Sequence, residues 1–391
     1  MSALIKQHVI DPEICIRCYT CEMTCPIEAI EHDDNNVVVD PDKCDGCGDC
    51  IPVCPTGSID NWRVVETPYS LEEQYEWLEL PEQEELAQPP SDEALDDAVA
   101  ALLREAHRGA GGQAKAPVSA SKPAINLHNL GKPATLTLRG NFPLTDDPDH
   151  DVRHIILDTG DVPFPVLEGQ SLGVIPPGTD ANGNAHLPRL YSVSSPRDGE
   201  RPGYHNISLT VKRENNGIAS NYLCDLEVGE TVDVTGPFGA TFLLPNDPDA
   251  RLLMICTGTG AAPMRAFTMQ RQRTGLGQGD MTMFFGARTP ASLPYFGPLK
   301  KVPEDVLKRH LVFSRVGGTP KEYVQDRMRA EGDRLAALVS DPLCHIYICG
   351  LKGMEVGVEA AFADIATQAG YNWSSLKDRM REAGRYHVET Y

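Results

Sequence analysis

CIRCYTCEMTCPIEAI (Cys15–Ile30) and CDGCGDCIPVCPTGSI (Cys44–Ile59) align at an offset of 29 residues. Each runs C-x2-C-x2-C-x3-C-P and closes on isoleucine. Three thiolates on a tight loop grip three corners of an iron–sulfur cubane, and a distant fourth closes the cage. In runs of this kind the fourth cysteine serves the other cluster. One 4Fe–4S cluster then takes Cys15, Cys18, Cys21 and Cys54, and a second takes Cys44, Cys47, Cys50 and Cys25. Paired C-x2-C motifs also hold zinc, but zinc does not call for a triple run that occurs twice in register. Pro26 and Pro55 fix the backbone after each fourth ligand. Between the halves, NNVVVD (Asn35–Asp40) reads as a short strand.

The whole chain has 391 residues, which suits two or three domains. Its formal net charge of −21 argues against nucleic-acid or anionic-membrane partners and suits solubility or docking on a basic partner. No run approaches the roughly 20 apolar residues of a membrane span, and MSALIKQHVIDPE lacks a signal-like apolar stretch. Twelve cysteines without secretory features point to metal ligands in a reducing compartment, so a cytoplasmic protein is expected. Cys224, Cys256 and Cys344 read as small buried apolar residues.

Residues 64–123 read as an acidic helical linker. From Glu66 to Glu105 there are thirteen acidic residues and one cation, Arg104. Two short amphipathic helices are expected. The better marked has Ser91 as cap, Asp92 and Glu93 in its first turn, and Leu95, Val99, Leu102 and Leu103 on one face. Gly109, Gly111 and Gly112 stop it, and GGQAKAPVSASKPA reads as a tether. From Ala124 to Leu244, β-rich runs alternate with Gly, Pro and Asn turns: PATLTLRGN, DVRHIILDTG, HNISLTVKRE, ETVDVTGPFG. That spacing predicts an antiparallel barrel. DPDHDVRH (Asp147–His154) reads as a polar loop entering a strand. From Arg251 the pattern becomes strand–helix alternation (RLLMICTGTG, MTMFFGAR, RHLVFSRV, HIYICGLKG), the mark of an α/β domain with a parallel sheet.

Several motifs in these two regions carry chemistry. RLYSVSS (Arg189–Ser195) offers an arginine for a pyrophosphate and a tyrosine for a flat ring. LTVKR follows at Leu209–Arg213. In GIASNYLCDLEVGE, Gly217 and Ser220 open a helix, whose N-terminus offers free N–H groups to a phosphate. CTGTGAAPMRAF from Cys256 places glycines after a buried strand, where backbone N–H groups approach a pyrophosphate. Ser314, Arg315, Lys321 and Tyr323 suit a 2′-phosphate, which favours NADPH over NADH.

The order RLYS, VKR, G-x-x-S-N-aromatic-L, GTG-x-AP-x-R, SR, K-x-Y-x-Q, CGLKGM and a final V-E-x-Y resembles the plant-type ferredoxin–NADP+ reductases over residues 124–391. The cysteine repeat resembles the two-cluster bacterial ferredoxins over residues 8–62. The resemblance implies that Arg189, Leu190, Tyr191 and Ser192 contact FAD, with Ser192 near its reactive edge. Val211, Lys212 and Arg213 fall on the next FAD strand, and Gly217, Ala219 and Ser220 in the FAD pyrophosphate loop. Thr259 and Gly260 line the NADP pyrophosphate site. Ser314, Arg315, Lys321 and Tyr323 hold the 2′-phosphate. Cys349, Gly350, Leu351 and Met354 lie at the nicotinamide side, Glu389 is the near-terminal glutamate, and Tyr391 stacks on the flavin. Ser192, Cys349, Glu389 and Tyr391 form the expected reaction centre. KRENNGIAS is short and lacks the aromatic that covers the FAD adenine in plant enzymes, so the adenine is expected to be held differently or FAD more weakly. Ala219 stands where those enzymes carry cysteine.

The implied architecture is multidomain: an α+β two-cluster ferredoxin domain (1–63), the linker (64–123), an antiparallel β-barrel FAD domain (124–248) and an α/β parallel-sheet NADP domain (249–391). NADPH supplies a hydride, the clusters take single electrons, and a flavin joins the two. The chain has no Glu-x-x-His pair of the di-iron kind, so the electrons are expected to leave for a separate subunit. The combination resembles the reductase components of benzoyl-CoA 2,3-epoxidases, which implies a di-iron oxygenase partner. A general ferredoxin–NADP+ oxidoreductase and a catalytically silent structural subunit are the other readings, and a homodimer is compatible with all three.

Overall fold

The computed structural model describes residues 5–51, 53–54, 56–83, 101, 120–179, 183–275 and 281–391. The expected helix from Ser91 and most of the tether after it lie outside the described residues.

The cysteine repeat folds because its ends pair. Strands β1 (Ile5–Val9) and β4 (Asn61–Val65) form an antiparallel ladder with Val9 opposite Asn61. Between them lie the short helix α1 (Thr20–Thr24) and the hairpin of β2 (Ile30–His32) and β3 (Val37–Val39). Ile10, Ile30, Val37, Val39, Ile51 and Ile59 pack with the cysteines into one small core. Such a core is too small to be stable alone and needs added cross-links. The start of the expected linker is a strap on this domain. Ser70 and Glu73 form a capping box at α2 (Leu71–Tyr75). The buried Gln74 amide meets both backbone groups of Val39, and Gln83 does the same for Val64.

The barrel strands are β5 (Ala134–Pro143), β6 (Val152–Asp158), β7 (Ser171–Ile175), β8 (Arg189–Ser192), β9 (Asn206–Lys212) and β10 (Thr231–Phe238). Their order is β8-β7-β10-β5-β6-β9. The pairings among them are antiparallel. A bridge from Val193 to Leu209 joins the two edges, so the sheet curls into the expected barrel. Alternate residues, including Leu136, Leu138, Ile155, Leu157, Val232 and Val234, fill its core. Helix α3 (Ile218–Asp225) follows β9. Asp147–Asp151 is a polar loop that feeds β6, as read.

Beyond it, β11 (Arg251–Thr257), β12 (Met281–Ala287), β13 (Leu307–Phe313), β14 (Cys344–Gly350) and β15 (Tyr386–Thr390) form a parallel sheet in the order β13-β12-β11-β14-β15. The helices are α4 (Ala261–Thr274), α5 (Phe296–Lys301), α6 (Val324–Ala330), α7 (Gly332–Ser340), α8 (Lys352–Ala369) and α9 (Trp373–Glu382). Both sheet faces are covered, so the strands read as continuous apolar runs. Leu253 and Ile255 enter the core with α8, while Leu252, Met254 and Cys256 enter the one with Phe242 and Phe267. The strand order reverses between β11 and β14, which opens a crevice at their carboxyl ends.

A buried ion triad fixes the cysteine-repeat domain to the barrel. Arg197 meets Asp60 at 2.8 Å and Glu168 at 2.5 Å. It also donates to Ser121 at 3.0 Å. Nearby, a Cβ on Gly57 would come within 2.7 Å of Asn246.

Candidate functional site

Among the described residues, no three His, Cys, Asp or Glu side chains converge closely enough for a single metal ion. The cysteines stand around wider spaces. One cavity is lined by Cys25, Cys44, Cys47 and Cys50, with Pro26, Ile30 and Val39. In the other group, Cys21 lies within electrostatic reach of Cys54, Cys15 and Cys18. Burial, reinforced by those neighbours, pushes the Cys21 thiol up to about 12. A thiolate there needs a compensating cation, which iron supplies. The Ala29 N–H donates to Cys25 Sγ (3.3 Å), Thr20 Oγ1 to Cys18 Sγ (3.4 Å), and Ser58 Oγ meets Cys54 Sγ at 3.3 Å. Hydrogen bonds to ligand sulfur are a lever on cluster potential. The residues therefore fit iron–sulfur ligation, in the two groups read from the spacing.

On the barrel, β8 and β9 meet at the Val193–Leu209 bridge and at a Ser194 N–H bond to Ser208 O of 2.7 Å. Beyond it run Leu190–Ser192 on β8 and Val211–Lys212 on β9, with Arg213 just after. Tyr191 packs partly on the barrel core from one side. Arg189 is exposed on the same strand. Helix α3 begins at Gly217 with no side-chain cap, so its first N–H groups remain available to an anion. Ser220 Oγ accepts from Glu214 N–H and donates to Gly217 O, which shapes this loop from within. These features fit a dinucleotide with a flat ring and a pyrophosphate. Three of these side chains have partners within the protein. The Val211 side chain is in the barrel core, so any contact is through its backbone. Arg213 is held by Asp151, Asp225 and Asn221, tying β9 to α3. Lys212 pairs with Glu214.

The crevice gathers the rest. Thr257 ends β11, and Gly258–Gly260 form a tight 3-10 turn into α4. A Cβ on Gly260 would lie 2.2 Å from the Cys349 carbonyl oxygen, so only glycine allows the turn to touch β14. Gly350, at φ +144°, lets the chain leave β14 against Thr257. Cys349 pairs with Glu389 across β14 and β15. Burial, with the Glu389 carboxylate adding, pushes its thiol well up, so it stays protonated. Ser192 Oγ donates to Glu389 Oε2 at 3.1 Å, joining barrel to sheet. Tyr391 is 56% exposed, its hydroxyl 2.6 Å from Thr259 Oγ1. Its N–H donates to Gly350 O (3.0 Å), and its carbonyl accepts from Lys352 N–H (3.3 Å). The structure thus brings Ser192, Thr259, Gly260, Cys349, Gly350, Glu389 and Tyr391 together. Leu351 is exposed at the start of α8, whereas Met354 points into the core below.

At the far end of the crevice, Ser314 and the exposed Arg315 follow β13, Lys321 is exposed, and Tyr323 caps α6. Arg315 N–H donates to Arg288 O at 2.7 Å. That places Arg288, which the sequence reading missed, beside the cationic group; it follows β12 as Arg315 follows β13. A second omission lies behind Ser192. Glu200 takes His154 at 3.0 Å and Arg265 at 2.9 Å. Arg265 also donates to Ser194 O at 2.7 Å. These partners hold the Glu200 carboxyl, despite burial, well below the usual range. Arg265 is the arginine of GTG-x-AP-x-R, so the signal was in the quoted motif.

Residues 7–67 match the 4Fe–4S dicluster domain family, 164–242 the oxidoreductase FAD-binding domain, and 254–360 the oxidoreductase NAD-binding domain. A ferredoxin–NADP reductase of Spirulina sp is 38% identical over 260 residues, covering 61% of this chain and 88% of that protein. The chain belongs to the ferredoxin–NADP reductase family. A Synechocystis ferredoxin–NADP reductase is 33% identical over 335 residues, 80% of each chain. The solved ferredoxin–NADP+ reductase of Plasmodium falciparum with 2′P-AMP is 25% identical with a TM-score of 0.56, covering 69% of this chain and all of that one. Like its family, this reductase is an NADP-dependent oxidoreductase, with FAD- and NAD-binding domains joined to an iron–sulfur domain. Among the described residues no helix is long and apolar enough to cross a membrane.

Proposed function

We propose that this reductase carries electrons from NADPH through FAD and two 4Fe–4S clusters to a separate oxygenase subunit, the di-iron benzoyl-CoA 2,3-epoxidase of aerobic benzoate degradation. The observation that carries the external-acceptor part is the Asp60–Arg197–Glu168 lock. A ferredoxin domain held on the barrel supplies the family's usual one-electron partner within the chain, so the electrons need an exit beyond it. Ser192 and Arg197 are five residues apart, at most about 18 Å of extended chain, so the docked domain lies close to the expected flavin edge. The named acceptor rests on the likeness of the whole architecture to benzoyl-CoA 2,3-epoxidase reductases.

When bound, FAD takes a hydride from NADPH and gives up electrons singly. Strands β8 and β9 would hold it, with Arg189 and the α3 N-terminus offered to its pyrophosphate. Ser192 and Glu389 hold a hydrogen-bonded polar pair at its reactive edge. The Gly258–Gly260 turn takes the NADP pyrophosphate, and Arg288, Arg315, Lys321, Ser314 and Tyr323 take its 2′-phosphate. Cys349, protonated and buried, lines the nicotinamide side. Tyr391 would stack on the flavin and would have to leave Thr259 Oγ1 to let nicotinamide in.

The family relationship favours a second reading, a general ferredoxin–NADP+ oxidoreductase. Reconstitution separates the two. With the oxygenase subunit, benzoyl-CoA and O2, NADPH oxidation should become substrate-dependent. A chain that reduces NADP+ readily from dithionite-reduced ferredoxin, yet never couples NADPH to benzoyl-CoA oxidation, is the general enzyme.

A further inference from the structure

The two cysteine runs are related by their 29-residue offset, so each surface of one half has a counterpart in the other. The counterparts differ in what they meet. In the second half, a Cβ on Gly57 would press on Asn246, one on Gly203 would lie 4.0 Å from the Cys47 carbonyl, and Asp60 enters the ion triad. The cleft beside this contact is lined by Gly46 and Cys47 from one side and Asp161, Tyr204 and His205 from the other. The second half therefore faces the barrel. In the first half, Cys18, counterpart of Cys47, is exposed. Glu28, counterpart of Gly57, is exposed too. The first half also exposes Ile16 (63%), Met23 (78%) and Ile27 (38%). Their counterparts at positions 45 and 56, Asp45 and Thr56, are polar. From Glu13 to Asp34 the chain has six acidic residues and a single arginine.

We infer that this first-half face, with Ile16, Met23 and Ile27 at its centre and Glu22 and Glu28 at its rim, is where the external electron acceptor docks. That acceptor is a redox protein presenting an apolar centre ringed by basic side chains. Electrons enter the domain through the half that meets the barrel and leave through the exposed face of the other. An apolar centre in a charged rim is the usual anatomy of a transient interface, and the rim charge sets the encounter rate. The inference rests on the proposed electron route through the clusters.

The test uses the loaded full-length chain with cytochrome c, a basic haem protein, as probe: NADPH plus two ferric cytochromes gives NADP+, one proton and two ferrous cytochromes. Glu22→Lys/Glu28→Lys should lower the second-order rate of cytochrome reduction about tenfold or more at low salt and flatten its salt dependence. Met23→Glu should lower it at all salts. In wild type, carbodiimide cross-links to cytochrome lysines should map to Glu22 and Glu28. NADPH should still reduce the clusters in each variant, read by EPR. Glu304→Lys/Asp305→Lys, an equal charge change at exposed sites on the NADP domain, should leave the rate unchanged. Unchanged rates in the first-half variants, or an equal loss in the control pair, overturn the docking face while the electron route stands. Wild-type clusters that NADPH cannot reduce overturn the route, and the docking face with it.

Discussion

Replacing Arg197 with methionine should uncouple the flavin from the clusters. The guanidinium is buried and is shared by Asp60 of the ferredoxin domain and Glu168 of the barrel, at 2.8 and 2.5 Å. Methionine fills much of the volume and leaves two carboxylates facing each other without a cation. Breaking a buried pair in this way costs about 3–5 kcal/mol. Separating the domains relieves the clash, so most of that cost falls on docking, and the docked population should drop by about two to three decades. The assay is anaerobic stopped flow with NADPH. Flavin bleaching should keep its wild-type rate, because the crevice is untouched, while freeze-quench EPR should show cluster reduction lagging at least tenfold. Arg197→Lys should recover little, since one ammonium cannot reproduce the fork that reaches both acids. Clusters reduced as fast in Arg197→Met as in wild type would refute the claim that this triad sets the electron-transfer geometry.

The same triad predicts a pH dependence. Burial, and the opposition of Glu168 to the help of Arg197, pushes the Asp60 carboxyl from 3.8 up to about 6. The folded value is above the unfolded one, so folding takes up a proton between about pH 4 and 6. The stability this brings is full below that window and is lost as pH rises through about 6, up to about 3 kcal/mol. Thermal midpoints should fall from pH 5 to 7, and Asp60→Asn should flatten the slope. At the crevice, Ser192→Ala and Glu389→Gln should each slow flavin reduction by NADPH by about a hundredfold with little change in NADP+ affinity, measured by stopped flow and titration. Gly260→Ala drives a methyl against the backbone oxygen of Cys349, and because neither can yield cheaply it should cost at least about 1–3 kcal/mol in thermal unfolding. Tyr391→Ser removes the phenol that meets Thr259 Oγ1 at 2.6 Å. It should leave the melting temperature unchanged and weaken the preference for NADPH over NADH; an intact preference counts against a gating tyrosine.

Chemistry that fixes local spacing was legible in the sequence. Iron–sulfur ligation demands cysteines at set intervals, and the doubled run matches the 4Fe–4S dicluster domain family. The glycines of GTG were read for a pyrophosphate, and Gly260 is also needed where its turn meets the Cys349 carbonyl. The register of β15 sets Glu389 beside Cys349. Arg197, Asp60 and Glu168 were not legible, because each is one charged residue in an irregular stretch and their pairing exists only once two domains dock. Arg213 and Met354 show a different limit. A family motif marks a position along the backbone, while the side chain there answers to its neighbours: Asp151 and Asp225 for one, the α8 core for the other. The strap at 66–83 read as linker because its acidic surface hides the two glutamines, Gln74 and Gln83, that fasten it to β3 and β4.

The most direct test of the account is an anaerobic NADPH titration of the loaded chain, recording flavin absorbance and cluster EPR together. Electrons should appear in both, with successive NADPH equivalents filling the flavin and then two interacting 4Fe–4S clusters. A flavin that bleaches while the clusters stay oxidised under NADPH, yet accept electrons from dithionite, would contradict an internal route from NADPH to the ferredoxin domain.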